Sequence, residues 1–148
     1  MDKYGVSLLK KIFILLSFSI ILFADSFSVE KKIYAHIINA LYPQRAAVIK
    51  VWTDDTAKLR VLQSIPRLKI VKKPQEADFL LVHKEKELQS KGLIFTTDYH
   101  TLESYKDRAI GGFYWQKGRP NILFLRQNLK KHHIKLPEDM QEYIEESL

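Results

Sequence analysis

The chain has 148 residues, a net charge of +7 and no cysteine. Without cysteine there is no disulfide, no thiol catalysis and no thiolate metal site, and the length suits one domain built on one core. The positive charge is spread along the chain, which fits either a solvated basic surface or attraction to an acidic partner or anionic lipid headgroups.

The first element reads as a secretory leader. Lys3, Lys10 and Lys11 give a positive start, and Ile12 to Phe23 is an uncharged, mostly apolar run of 12 residues. That is the length of a signal-peptide core and short of the roughly 20 residues a spanning helix needs. Ala24 and Ser26 fit the small positions before a cut after Ser26, and Ser26 with Ser28 would fit a cut after Ser28. The other reading is an uncleaved anchor that recruits Leu8 and Leu9. A cut after Ser26 leaves residues 27–148 as a single basic domain, expected in the periplasm, where nucleic acid is not an expected partner. With no disulfide, that domain must be held by its core.

The mature part alternates helices and strands. Val29, Ile33, Ile37 and Leu41, with Tyr34 and Ile38, recur at helical spacing, which predicts an amphipathic helix over 29–42 that stops at Pro43. Residues 46–53 (AAVIKVWT) predict a strand. Asp54-Asp55 ends it, and Asp55 or Thr56 is placed to cap a helix whose apolar face is Leu59, Leu62 and Ile65. A short strand follows at 68–71, then a helix start at Pro74. The unbroken apolar run Phe79–Val82 predicts a strand covered on both faces. Residues 84–91 form a polar connection, either helical or irregular, broken by Gly92. Leu93–Thr97 is the next strand, with Asp98 at its junction to a helix over 99–106. Ala109–Gln116 and Asn121–Arg126 are strands joined by Lys117-Gly118-Arg119-Pro120, a connection short enough to close only an antiparallel pair. Helices are expected at 127–133 and 137–147, the last begun by Pro137 and favoured by Glu138-Asp139 at its positive end. The pattern predicts an α/β three-layer sandwich: a mostly parallel sheet with a C-terminal antiparallel hairpin and terminal helices.

Chemistry is sparse. Ligands of open parallel sheets bind at the carboxyl ends of strands, where Asp54, Asp55 and Asp98 are expected. Two readings stand for them: a divalent-metal or small-ligand site, or helix caps, the usual task of Asp at such junctions. No glycine-rich phosphate loop follows a strand, and Gly111-Gly112 suits a bulge or close packing. His36, His83, His100, His132 and His133 form no zinc-ligand pattern, and no serine stands in a nucleophile elbow. No cofactor and no catalytic residue is therefore expected. Phe113-Tyr114-Trp115 is the most aromatic stretch. Alternation places Phe113 and Trp115 on one face and Tyr114 on the other. The faces pack as core, or Tyr114, Trp115 and neighbouring Arg119 mark a partner-binding edge.

Taken as one block, LIFTT at 93–97, a short helix, and AIGGFYWQKGRPNILFLRQNLKKHHIKLPEDMQEYIE resemble the small periplasmic regulators of the YfiR type. The corresponding features are a strand ending at a Thr-Asp turn, a Gly-containing strand, a hairpin to a strand with an Asn128-Leu129 exit, and a closing helix. The helix IYAHIINAL, the strand AAVIKVW and the strand ADFLLV agree in order, so the resemblance spans most of 29–147. Two features depart from it. Some members carry redox-linked cysteines, absent here, and the usual polar hairpin strand is replaced by FYWQKGRPN. The resemblance implies a non-catalytic periplasmic protein that restrains an inner-membrane signalling protein, a diguanylate cyclase or a histidine kinase, without touching the cyclic dinucleotide. Release of that restraint would raise cyclic dinucleotide output and biofilm formation. A homodimer is compatible with it.

Overall fold

The computed structural model describes residues 26–44 and 47–148. The leader expected at 1–26 therefore lies almost wholly outside the described residues. Among them, no helix is long and apolar enough to cross a membrane.

Helix α1 covers residues 26–41. Strand β1 (Ile49–Thr53), helix α2 (Thr56–Gln63) and strand β2 (Leu68–Ile70) follow, then a 3-10 turn at Pro74–Glu76. Next come β3 (Phe79–Val82), β4 (Leu93–Thr96), α3 (Tyr99–Ser104), β5 (Ala109–Gln116), β6 (Arg119–Leu125) and α4 (Arg126–Lys131). A second 3-10 turn at Glu138–Tyr143 leads into β7 (Ile144–Glu145). One seven-stranded sheet runs in the order β2-β1-β3-β4-β5-β6-β7. Every pair is parallel except the β5–β6 hairpin. The protein is an α/β sandwich of three layers.

The two faces of the sheet bury separate cores. Under α1 and α2, the side chains of Tyr34, Ile37, Ile38, Val61 and Leu62 meet Val51, Phe79, Leu81, Phe95 and Phe124. On the opposite face, Leu102 and Tyr105 from the α3 region meet Leu80, Val82 and Ile94, with Leu88 beside them. All four residues of β3 are buried, which is why that strand reads as an unbroken apolar run.

Glycine decides how β5 joins the sheet. Ile94 pairs with Ala109 but Phe95 pairs with Gly111, leaving Ile110 as an extra residue. This is a β-bulge, and it sets which side chains face α1. After it, Gly111, Phe113 and Trp115 share the α1 face with Phe95, while Gly112 and Tyr114 face α3. A Cβ on Gly112 would sit 2.6 Å from Thr96 Oγ1 and 3.3 Å from Leu102 Cδ2, and one on Gly111 would collide with the Leu123 carbonyl. The hairpin turns on two residues, Lys117 (φ 50°) and Gly118 (φ 72°), a primed turn suited to twisted strands. Arg119 and Pro120 therefore belong to β6 rather than to the loop. Because Gln116 and Arg119 close the two-residue turn, Trp115 and Pro120 form a non-bonded pair. The missing N–H of Pro120 thus points to the outer edge, where it blunts strand pairing.

Three expected elements differ. Residues 84–91 are irregular, because side chains from the α3 region satisfy their backbone. The Tyr105 hydroxyl bonds both the amide and the carbonyl of Lys86, and Arg108 donates to the Leu88 carbonyl at 2.9 Å. A helix would have required those groups for itself. The helix expected at 137–147 is a 3-10 turn, after which Ile144 and Glu145 pair with Phe124 and Leu125. Pairing buries this end against β6 through Met140 and Ile144, and a helix of that length would have carried it away from the sheet edge. The helix begun at Pro74 is only the 3-10 turn Pro74–Glu76, since the chain must cross β1 within eight residues to reach β3.

Candidate functional site at the carboxyl edge of the sheet

The chain leaves β1 toward β2 on one side and returns as β3 on the other. This is a topological switch point, where open α/β sheets place their ligands. Asp54 and Asp55 follow β1, His83 follows β3, and Thr97-Asp98 follow β4. The fold thus brings the three aspartates to one edge, and each is already engaged there.

The Asp54 carboxylate accepts from the amides of His83 (2.7 Å) and Lys84 (3.2 Å) and pairs with Lys86 Nζ at 3.0 Å. Burial alone would push its pKa up. The His83 amide, the Lys86 ammonium and the Lys84 amide outweigh that and hold it below the usual aspartate value. Lys86 Nζ also lies 5.2 Å from the centroid of the Trp52 ring, a cation–π contact. Asp55 is the N-cap of α2, accepting from the Ala57 amide at 3.0 Å. Its second oxygen accepts from Thr97 Oγ1 at 3.3 Å and stands 3.7 Å from His83 Nδ1. Asp98 is the N-cap of α3, accepting from the Thr101 amide at 3.1 Å. Thr101 Oγ1 in turn donates to the His83 carbonyl at 2.6 Å. Two aspartates cap helices and the third fastens the segment after β3 to the end of β1. Among the described residues, no three His, Asp, Glu or Cys side chains are arranged to hold a metal ion.

His83 Nδ1 lies 2.9 Å from Thr97 Oγ1, so His83, Thr97 and Asp55 form a polar contact set that binds α2 to β3 and β4. Neither His83 nor Thr97 was singled out from the sequence, although each immediately follows a parallel strand and that position was the available signal. Glu30 was missed as well. It is only 9% exposed, and its Oε1 accepts from Lys58 Nζ (2.7 Å) and Trp115 Nε1 (2.8 Å), joining α1, α2 and β5. The signal was a carboxylate on the apolar stripe of α1, one turn before Tyr34. Tyr34 is fully buried, and its hydroxyl has no partner among the described residues. Burial, then the Glu30 and Asp55 carboxylates, raise its pKa.

The hairpin residues Tyr114, Trp115 and Arg119 do not share one face. Trp115 is on the α1 face, beside Phe113 (ring centroids 6.0 Å apart) and held by Glu30, although it is 40% exposed. Tyr114 is on the α3 face, edge-on to Tyr99 at 5.6 Å. Arg119 pairs in register with Gln116 and so lies on the Tyr114 side. Burial, then Tyr99 and Glu145, raise the Tyr114 pKa. No family model, curated protein or solved structure matches this chain.

Proposed function

We propose that this protein is an exported, non-catalytic regulator of the YfiR type, which binds and restrains an inner-membrane signalling protein such as a diguanylate cyclase or a histidine kinase. The observation that carries this reading is the engagement of the carboxyl-edge acids. Asp54, Asp55 and Asp98 stand where a ligand site of such a sheet belongs, yet backbone amides, Lys86 and Thr97 occupy them. A small-ligand or metal-binding function at those acids would first have to break these bonds. Exposed aromatic and cationic groups gather instead at the β5–β6 hairpin, where Trp115 and Arg119 reach solvent and Tyr99 of α3 stands exposed beside Tyr114. Tyrosine, tryptophan and arginine are the residue types that anchor protein interfaces. The leader-like composition of residues 1–26 and the resemblance of the element order to YfiR-type regulators support this reading of the compartment and the class of partner. Deleting the gene should change cyclic dinucleotide level or kinase output in the host. Unchanged values of both would remove the proposal.

A further inference from the structure

Toward the other end of the sheet from the hairpin, part of the basic charge stands unpaired. Strand β2 is outermost and runs parallel to β1. Ile49, Val51, Leu68 and Ile70 turn to the α1 and α2 side, so alternation puts Lys50 and Lys69 on the other face. Those two lysines are direct partners across the strands, rooted about 5 Å apart. Like charges so placed repel and weaken the sheet. Lys72 and Lys73 follow at the exit of β2, and all four lysines are exposed. None of them forms an ion pair among the described residues, whereas Lys58 and Lys86 do. Helix α3 covers β4 and β5, away from this edge. Glu76 and Asp78 are the acids nearest in the chain, and Asp78 is turned onto the Lys50 amide at 2.9 Å. Val48, just before β1, is 63% exposed, the most of any large hydrophobic side chain among the described residues.

We infer that this edge rests on the anionic phospholipid headgroups of a membrane surface, with Val48 set into the interface. A lysine near negatively charged headgroups multiplies affinity about fivefold. An exposed apolar side chain among such lysines adds the contact that interfacial proteins make with the acyl boundary. The residue types favour lipid over an acidic protein. Protein interfaces are enriched in arginine and depleted in lysine, and the unpaired cations here are Lys50, Lys69, Lys72 and Lys73. The neighbouring Arg67 is taken up by Asn39 and by the carbonyls of Tyr42 and Gln44. A dense anionic surface also offsets the repulsion between Lys50 and Lys69, which nothing within the fold neutralises. This inference rests on the reading of the protein as exported and deepens it. An edge held on the membrane leaves the β5–β6 hairpin, several strands away, free to meet the signalling protein.

The chain has no cysteine, so Val48→Cys carries a single environment-sensitive fluorophore. The full-length labelled chain is reconstituted with vesicles of phosphatidylcholine alone, and with vesicles of phosphatidylcholine and phosphatidylglycerol in equal parts. The apolar run Ile12–Phe23 is present in both, so only the local response of the label is compared. Its emission should shift to the blue on the anionic vesicles alone and return as salt screens the headgroups. Lys50→Gln with Lys69→Gln should weaken the contact roughly 25-fold, at about fivefold for each lysine. The same double variant should melt no lower than wild type, because the like-charge repulsion is gone; a merely structural role for these lysines would lower it. Equal emission on the two kinds of vesicle, a shift that ignores salt, or a shift kept in the double variant overturns the inference. A shift produced by soluble polyglutamate and not by anionic vesicles overturns it too and assigns the lysines to an acidic protein. The functional proposal is read separately, from signalling output after gene deletion, and survives if the vesicle contact alone fails.

Discussion

Replacing Asp54 by alanine removes the acceptor for two backbone amides and the partner of one ammonium. Hydrogen bonds to a charged group contribute about 1.5–3 kcal/mol when well made. The longer Lys84 bond and the solvent-accessible segment after β3 put the pair of amide bonds near the lower end of that range. Lys86 is 40% exposed, so its ion pair adds at most about 1 kcal/mol. A loss of about 2–3 kcal/mol follows, or roughly 10 °C in melting temperature for a domain of this size. The pH dependence carries a definite sign. The folded-state pKa of Asp54 lies below its unfolded value, so ionised Asp54 favours the fold. Its contribution is complete above the ordinary aspartate pKa of about 3.9 and fades as pH falls through the lower folded value. Thermal melts of wild type and Asp54→Ala should therefore differ fully at pH 7 and converge below about pH 4. Asp54→Asn, with one acceptor oxygen and no charge, should fall between them. Equal melting temperatures at pH 7, or a gap undiminished at pH 3, would refute the assignment of Asp54 as a structural tie.

Two further substitutions probe the frame around the site. Glu30→Ala leaves Lys58 Nζ and Trp115 Nε1 without their acceptor and should cost about 2–3 kcal/mol, while Glu30→Gln, which can keep the indole bond, should cost about 1 kcal/mol. Denaturant unfolding with tryptophan emission reads both, and an unchanged Glu30→Ala midpoint would rule out the tie between α1 and β5. Gly112→Ala drives a methyl against Thr96 Oγ1 and Leu102 Cδ2 and should cost about 1–3 kcal/mol. Gly118→Asn, in an open turn that asparagine tolerates, should change stability by no more than a few tenths of a kcal/mol. Equal effects of the two in denaturant titrations would contradict the close approach at Gly112.

The sheet was legible where one force dominated. The burial of β3 on both faces wrote itself into Phe79–Val82, and the tight link at Lys117-Gly118 forced an antiparallel pair. The opposed placement of Phe113 and Trp115 against Tyr114 followed from strand alternation alone. Elements whose state depends on distant partners were not legible. Residues 84–91 carry helix-compatible charges, but Tyr105 and Arg108, about 20 positions later, supply their backbone bonds. The ending at 137–147 has a helical start signal, yet the free edge of β6 draws Ile144 and Glu145 into pairing. The candidate site divides in the same way. Position at strand ends located Asp54, Asp55 and Asp98, and cap chemistry described Asp55 and Asp98. Asp54 departs from the cap chemistry alone, because its partners lie 29 to 32 residues away on the far side of the switch point. The link from Glu30 to Trp115 spans 85 positions, a separation that no local pattern encodes.

Complementation of a deletion strain, read as cyclic dinucleotide level or kinase output, tests most directly whether the protein acts through its hairpin surface rather than through its strand-end acids. Wild type, Asp54→Asn and Asp98→Asn should restore the output, in proportion to the folded protein each delivers. Arg119→Glu, with both neighbouring strands intact, should fail although it is folded and present in normal amount. Restoration by Arg119→Glu, with loss in a folded Asp54→Asn, would contradict the account and return function to the carboxyl edge of the sheet.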